Sequence, residues 1–114
     1  MQYFEKIKDN RDFRRTYGRG KSRVAPEFVV YAAKGKSGRV RLGITATKKI
    51  GCAVKRNRAK RIITAAFREC AKNMNSVDVI VVARGRILKC KSTKIAEIMK
   101  KQFCELGLFC DEKE

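Results

Sequence analysis

The 114-residue chain contains no histidine and no tryptophan, and its only proline is Pro26. Without imidazole, a histidine base, a histidine-bound zinc ion and a serine–histidine nucleophile are all excluded. The 11 acidic residues are scattered, and no spacing among them indicates the converging carboxylates of a two-metal nuclease. We therefore predict no catalytic residue in this chain.

Long hydrophobic runs are also lacking. No apolar stretch approaches the ~20 residues of a membrane span, and residues 1–8 lack the apolar segment of a signal peptide. We expect a cytoplasmic protein with no membrane partner. The five cysteines, an odd number, contain no CxxC pair, which predicts reduced thiols that fill the core and leaves any metal site unassigned. They are Cys52, Cys70, Cys90, Cys104 and Cys110.

Charge of one sign is abundant. There are 29 Lys and Arg against 11 Asp and Glu, so the net charge is +18. No acidic residue occurs between Glu27 and Glu69. Such an excess repels itself in a small compact body, and a polyanionic partner would neutralise it.

The length and patterning predict one domain over residues 1–114, frayed from about 109 to 114. Helices are predicted from Asn10 through Tyr17, ending at Gly18 or Gly20, and over 52–73 and 92–107. Strands are predicted over 28–33, 39–48 and 77–83, with an extended segment around Val24 and a turn at 36–38. The result is an α/β (α+β) two-layer sandwich with about four strands and three helices, in the order α-β-β-β-α-β-α.

Two segments have faces of clearly different character. In 39–48, an apolar face alternates with a polar one that is suited to an open groove. The apolar face carries Val40, Leu42, Ile44 and Ala46, and the polar face carries Arg41, Gly43, Thr45 and Thr47. In 52–73, helical spacing separates an apolar side from a basic side. The apolar side carries Ala59, Ile62, Ile63, Ala66, Phe67 and Cys70, and the basic side carries Asn57, Lys60, Arg61, Thr64, Arg68 and Lys72.

The strongest local signal is residues 48–61, KKIGCAVKRNRAKR, in which seven of fourteen residues are cationic and none is acidic. Arginine and lysine at this density favour a phosphate-binding surface. A purely solvated helix face is less consistent with the pattern, because such faces usually interleave both signs. A nuclear-localisation tract is a weaker alternative, since the segment lies on a patterned helix.

Phe13 and Tyr17 lie one helical turn apart among arginines. Rings interleaved with cations suit single-stranded nucleic acid, and Tyr31 is a candidate third ring. Packing of the first helix on the sheet explains the same pattern equally well, so both interpretations stay open.

The segment TKKIGCAVKRNRAKRIITAAFRE resembles the signature of the bacterial ribonuclease P protein component. The resemblance continues through NRDFRRTYGRG, EFVVYAA, RVRLGITATKKIG and DVIVVARG. It implies a non-catalytic subunit that binds a large catalytic RNA, and the RNA uses Mg²⁺ to remove the 5′ leader of precursor tRNA. It implies no protein cofactor, no obligate protein partner and a left-handed crossover through the long helix.

The resemblance also implies two sets of binding residues. Those meeting the catalytic RNA are Lys48, Lys49, Arg56, Asn57, Arg58, Lys60, Arg61 and Arg68. Those lining a cleft for the single-stranded leader are Phe13, Tyr17, Val29, Tyr31, Thr45 and Thr47. Alternative functions are a ribosomal or general RNA-packaging protein, and a stand-alone ribonuclease, which would need carboxylates that the sequence does not group.

Overall fold

The computed structural model describes residues 4–7, 10–34, 40–71 and 77–107. Strands β1 to β5 and helices α1 to α3 follow one another with one 3₁₀ helix before the last helix. Their order is β1 (Glu5–Lys6), α1 (Asn10–Arg19), β2 (Lys21–Val24), β3 (Phe28–Lys34), β4 (Val40–Thr45), α2 (Ala53–Ala71), β5 (Val77–Ala83), the 3₁₀ helix (Gly85–Lys89) and α3 (Ser92–Leu106). The predicted α+β class with three helices is confirmed.

The strands form one mixed sheet in the order β1-β4-β5-β3-β2. β1, β4 and β5 are parallel neighbours, whereas β3 is antiparallel to both β5 and β2. The β-branched strand β5 is central, and all of its residues except Val82 are buried. Helix α2 connects β4 to its parallel neighbour β5; the left hand of this crossover stays an expectation of the resemblance.

One face of the sheet forms the hydrophobic core with α2 and α3. Alternate residues of β3, β4 and β5 point into it, including Val30, Leu42 and Val79. From α2, the apolar stripe predicted from sequence is buried as expected, although Ile62 is only partly buried. Phe67 joins the layers, since its ring packs edge-on against Phe4 at 5.0 Å and Phe103 at 5.9 Å.

Helix α1 lies on the opposite face of the sheet. This face carries the other set of alternating residues, and the strand register aligns them into rows. One row joins Tyr31, Ile80 and Gly43, and the next joins Val29, Val82 and Thr45. The rings of α1 contact residues of these rows, so the helix and the row residues together shape a surface distinct from the core.

Several boundaries differ from the sequence prediction. The sheet has five strands rather than about four. The additional strand is β1, which consists of only two charged residues and pairs with the edge of β4. β4 ends at Thr45, and the backbone turns back at Ile50, whose N–H donates to Thr47 O at 3.0 Å. The turn at 36–38, the end of the long helix at 72–73, Cys110 and the frayed tail lie outside the described residues.

Candidate RNA-binding surfaces

A buried carboxylate fixes helix α1 to the sheet. Asp78 of β5 is fully buried, and it accepts hydrogen bonds from Arg41 of the neighbouring strand at 2.9 Å (Nε to Oδ1) and 2.7 Å (Nη2 to Oδ2). Arg15 of α1 also donates to Asp78 through Nη2. Both guanidinium side chains are mostly buried, 16% and 17% exposed. Charge-assisted bonds of this kind are strong and directional, so they set the position of α1.

Sequence analysis missed this cluster. It grouped Asp78 with the scattered acids and treated Arg41 as the basic end of a polar strand face. The two residues are direct neighbours in the β4–β5 register. Alternation places Arg41 on the polar face of β4 and Asp78 on the face of β5 that also carries Ile80 and Val82, but the pairing depends on the sheet order.

Tyr17, from the last turns of α1, contacts two strands. Its ring lies edge-on to Tyr31 with centroids 4.8 Å apart, and its hydroxyl is 3.2 Å from Thr45 Oγ1. The ring nevertheless remains 39% exposed. Three of the predicted leader-binding residues therefore meet, and they do so at the surface rather than in the core.

Phe13 packs closely over β4. A Cβ atom on Gly43 would lie 2.7 Å from the Phe13 ring carbons, so only glycine permits this approach. The ring is half-buried. Packing on the sheet, one of the two interpretations left open by sequence, is therefore observed for Phe13, and binding of nucleic acid by its exposed part stays a prediction.

The row containing Val29 and Thr45 meets α1 at Thr45, through the Tyr17 hydroxyl, and all of its members are partly or fully exposed. In register it continues from Thr45 through Val82 and Val29 to Val24, which is 68% exposed. We call these four residues the open row. Val24 and Val82 were missed from sequence, and period-2 alternation in 77–83 was the signal that could have found Val82.

Thr47 lies outside this sheet surface. It follows the end of β4, it is exposed, and its Oγ1 accepts a hydrogen bond from the Lys49 backbone N–H at 3.3 Å. Thr47 therefore shapes the turn that presents Lys48 and Lys49, which are both exposed. The structure does not bring Thr47 together with Tyr17.

Gly51 and Arg56 build the entry to helix α2. Gly51 has φ +135°, which disfavours any residue with a Cβ, and Lys55 packs against its open side. Arg56 is half-buried and donates from Nη1 to Gly51 O at 2.8 Å. Arg56 thus holds the turn, which is a role that charge counting did not predict.

The remaining predicted cations form an exposed face of α2. The first turn contains no acidic residue, so the positive end of the helix dipole adds to the side-chain charges and favours an anion. From Asn57 to Arg68 the face extends about 16 Å, at 1.5 Å per residue. We call it the α2 basic face; it comprises Asn57, Lys60, Arg61 and Arg68 on the basic side given by helical spacing, together with Arg58 about 100° around the helix from Asn57, and all five are exposed.

The cysteines are not uniformly core fillers. Cys70 is buried and desolvation raises its pKa to about 11, as expected for a filler. Cys52 and Cys104 are exposed, which corrects the prediction for these two. Backbone N–H bonding from Lys55, at the start of α2, lowers the pKa of the Cys52 thiol. The four described cysteines are free thiols.

Between residues 4 and 107, excluding the undescribed gaps, no three His, Cys, Asp or Glu side chains group in a way that could hold a metal ion. In the same part of the chain, no helix has the length and hydropathy needed to span a membrane.

These features define a small, strongly basic α+β protein with a cationic helix face and an adjoining aromatic cleft. The family model for Ribonuclease P matches residues 1–107. The chain therefore belongs to the ribonuclease P protein family, of the bacterial type. Members of this family take part in an endoribonuclease complex with the ribonuclease P RNA, in tRNA 5′ processing.

Similar sequences and solved structures support the same family. The chain is 43% identical over 84 residues to the ribonuclease P protein component of Staphylococcus haemolyticus, covering 74% of each chain. It is 36% identical over 120 residues to that of Shouchella clausii, covering 100% of this chain and 98% of the relative. The Staphylococcus aureus RNase P protein structure matches with a TM-score of 0.79 at 34% identity, covering 96% and 99%.

Proposed function

We propose that the α2 basic face and Lys48–Lys49 bind the ribonuclease P RNA, and that the cleft between α1 and the sheet binds the 5′ leader of precursor tRNA. The RNA, with Mg²⁺, performs the hydrolysis, and the protein contributes no catalytic group or cofactor of its own. The expected location is the cytoplasm, and no obligate protein partner is needed.

The exposed cationic surface is the observation that carries this proposal. Four α2 cations and two turn lysines face solvent, and among the described residues no ion pair joins any of them to an acidic side chain. Like charges on one helix face repel one another. Binding to a phosphate backbone removes that repulsion and releases counterions.

The cleft supports binding of a single strand. Tyr17 presents an exposed ring, and the open row beside it offers apolar surface without charge. Single-stranded RNA binds such sites by stacking bases on rings while cations hold its backbone. Arg84 directly follows the last residue of β5 and is exposed. It supplies a cation two residues after Val82 of the open row.

A general RNA-packaging role is disfavoured by family membership and by the cleft. Cleavage of mRNA needs a separate control, because one similar solved structure is that of a Staphylococcus aureus RNase P protein "mutant with defective mRNA degradation activity". We propose no such activity for this chain acting alone, and the closing experiment below includes the protein by itself.

Removing one arginine from the α2 basic face tests the first half of the proposal. Arg58→Ala or Arg61→Ala is expected to weaken binding of ribonuclease P RNA and to reduce the salt slope of log K by about one unit per lost phosphate contact. Lys94→Ala, which removes an exposed cation from α3, serves as the control with unchanged slope. Wild-type affinity and slope in both arginine variants would contradict the assigned face.

Removing the ring of Tyr17 tests the second half. Tyr17→Ala is expected to weaken holoenzyme binding of leader-bearing precursor by about 1–3 kcal/mol, the value of one base–ring stack, without affecting mature tRNA. Tyr17→Phe keeps the ring and loses only the contact with Thr45, so it should retain most of the affinity. Equal losses for precursor and mature tRNA would show general damage to the protein instead.

A further inference from the structure

A cavity, separate from the open row, lies at the outer edge of β4 between helices α1 and α2. Its volume is about 210 Å³. It exists because β1 pairs only with Arg41 and Leu42 of β4, so that within the described residues no strand pairs with the outer edge of β4 from Gly43 to Thr45. The walls are Phe13 of α1, Lys60 and Thr64 of α2, Gly43, Ile44 and Leu42 of β4, and Phe4, Lys6 and Ile7 from the start of the chain.

We propose that this cavity, the edge pocket, binds one nucleotide of the precursor leader. The inference rests on the leader-binding function proposed above and extends it by one subsite. The two binding surfaces proposed above do not account for this cavity, which adjoins the cleft at Phe13 and has two lysines among its walls.

The chemistry of the walls fits a nucleotide. The floor is apolar, with Phe4, Ile7 and Leu42 nearly fully buried. Phe13 offers part of its ring, and base–ring contact is favourable for every base. Lys6 and Lys60 are exposed, and none of the described wall residues is acidic, so the cavity attracts a phosphate.

The position fits a strand that leaves the cleft. A leader crossing the open row from Val24 to Thr45 passes over β2, β3, β5 and β4 in that order, and then reaches the outer edge of the sheet. The edge pocket includes Ile44, which adjoins Thr45 in β4. The leader is therefore preferred over the ribonuclease P RNA as the source of this nucleotide, although Lys60 belongs to the α2 basic face as well.

The test measures holoenzyme affinity for precursors whose leader grows one nucleotide at a time, with mature tRNA as reference. For the wild type we expect affinity to rise with leader length and to include one late step when the pocket fills. Thr64→Phe, which places a ring into the pocket, should remove that step alone, a loss of about 5-fold to 100-fold. Lys6→Ala should reduce the same step, and shorter leaders should bind both variants as they bind the wild type.

Matched controls carry the same substitutions away from the pocket: Thr93→Phe and Lys94→Ala on the exposed surface of α3. A photoreactive 4-thiouridine at the leader position of the late step should cross-link to residues 4–7. Full length dependence in both pocket variants, or cross-links from that leader position only to residues other than 4–7, would overturn the pocket while leaving the cleft intact. Absence of any leader dependence in the wild type would overturn the leader function and the pocket together.

Discussion

Neutralising Asp78 is predicted to be the most damaging single change in the described part of the protein. Asp78→Asn keeps the side-chain volume but leaves Arg15 and Arg41, each more than four-fifths buried, without their shared anion. Removing one partner of a buried ion pair typically costs about 3–5 kcal/mol, since the remaining charge stays desolvated. Small domains are stabilised by only about 5–15 kcal/mol.

Taking about 3 kcal/mol as the cost, the midpoint of thermal unfolding should fall by about 10–20 °C for a domain of this size. Circular dichroism during thermal and urea unfolding measures the loss, and an unchanged urea m-value would show that the native state stays compact. A midpoint within 2 °C of the wild type would refute the assignment of a buried charge cluster.

A triple substitution separates charge from shape. Replacing these three residues with apolar ones, Asp78→Leu with Arg15→Met and Arg41→Met, removes their three buried charges and should recover most of the lost stability, because packed hydrophobic groups can replace a buried ion pair without loss of stability. If the triple variant is as unstable as Asp78→Asn, the stability of this region depends on the directional bonds rather than on the balance of charge.

Two further predictions concern single atoms. Gly43→Ala places a methyl group 2.7 Å from Phe13 ring carbons and should displace that ring, which lowers the free energy of unfolding by about 1–3 kcal/mol. In a binding assay, the variant should lose more affinity for leader-bearing precursor than for mature tRNA. An unaltered free energy of unfolding would contradict the close packing. Iodoacetamide should alkylate Cys52 in the folded protein with a pH midpoint below that of an ordinary cysteine, because backbone N–H bonding from Lys55 lowers the pKa of its thiol. Bound ribonuclease P RNA should protect Cys52, whereas Cys70, with a pKa of about 11, should react only after unfolding. Mass spectrometry distinguishes the sites, and Cys70 labelling as fast as Cys52 would contradict the assigned burial.

The periodic elements were predictable because each has one apolar face. The α2 stripe was identified from helical spacing, and Ala59, Ile63 and Phe67 are buried as predicted. The alternation in β4 likewise placed Leu42 in the core and Gly43 on the opposite face. In these segments the side-chain pattern and the tertiary burial agree, so local sequence is sufficient.

Strand β1 was not predictable in the same way. Glu5 and Lys6 are charged and exposed, and they form a strand only because the edge of β4 offers backbone partners. β2 was predicted only as an extended segment around Val24, since all four residues of the strand are exposed and pairing with β3 decides its conformation. Edge strands of this kind carry no hydrophobic pattern of their own.

Some residues of the candidate sites could likewise be identified from local sequence, whereas others depend on tertiary contacts. The α2 basic face was identified because its charges are concentrated in one segment. The Asp78 cluster and the edge pocket both depend on residues more than 30 positions apart, which meet only after the sheet order is known. Arg56 was assigned by its charge, but its bond to Gly51 depends on the turn geometry and gives it a structural role.

The central claim is that the protein holds RNA and substrate together while the RNA performs the cleavage. Precursor tRNA should be incubated at low Mg²⁺ with the nucleotide-free protein, with the ribonuclease P RNA, and with both, and an mRNA should be incubated with the protein alone. We predict efficient 5′ cleavage only in the mixture. Release of the leader by the purified polypeptide without the RNA would contradict the account.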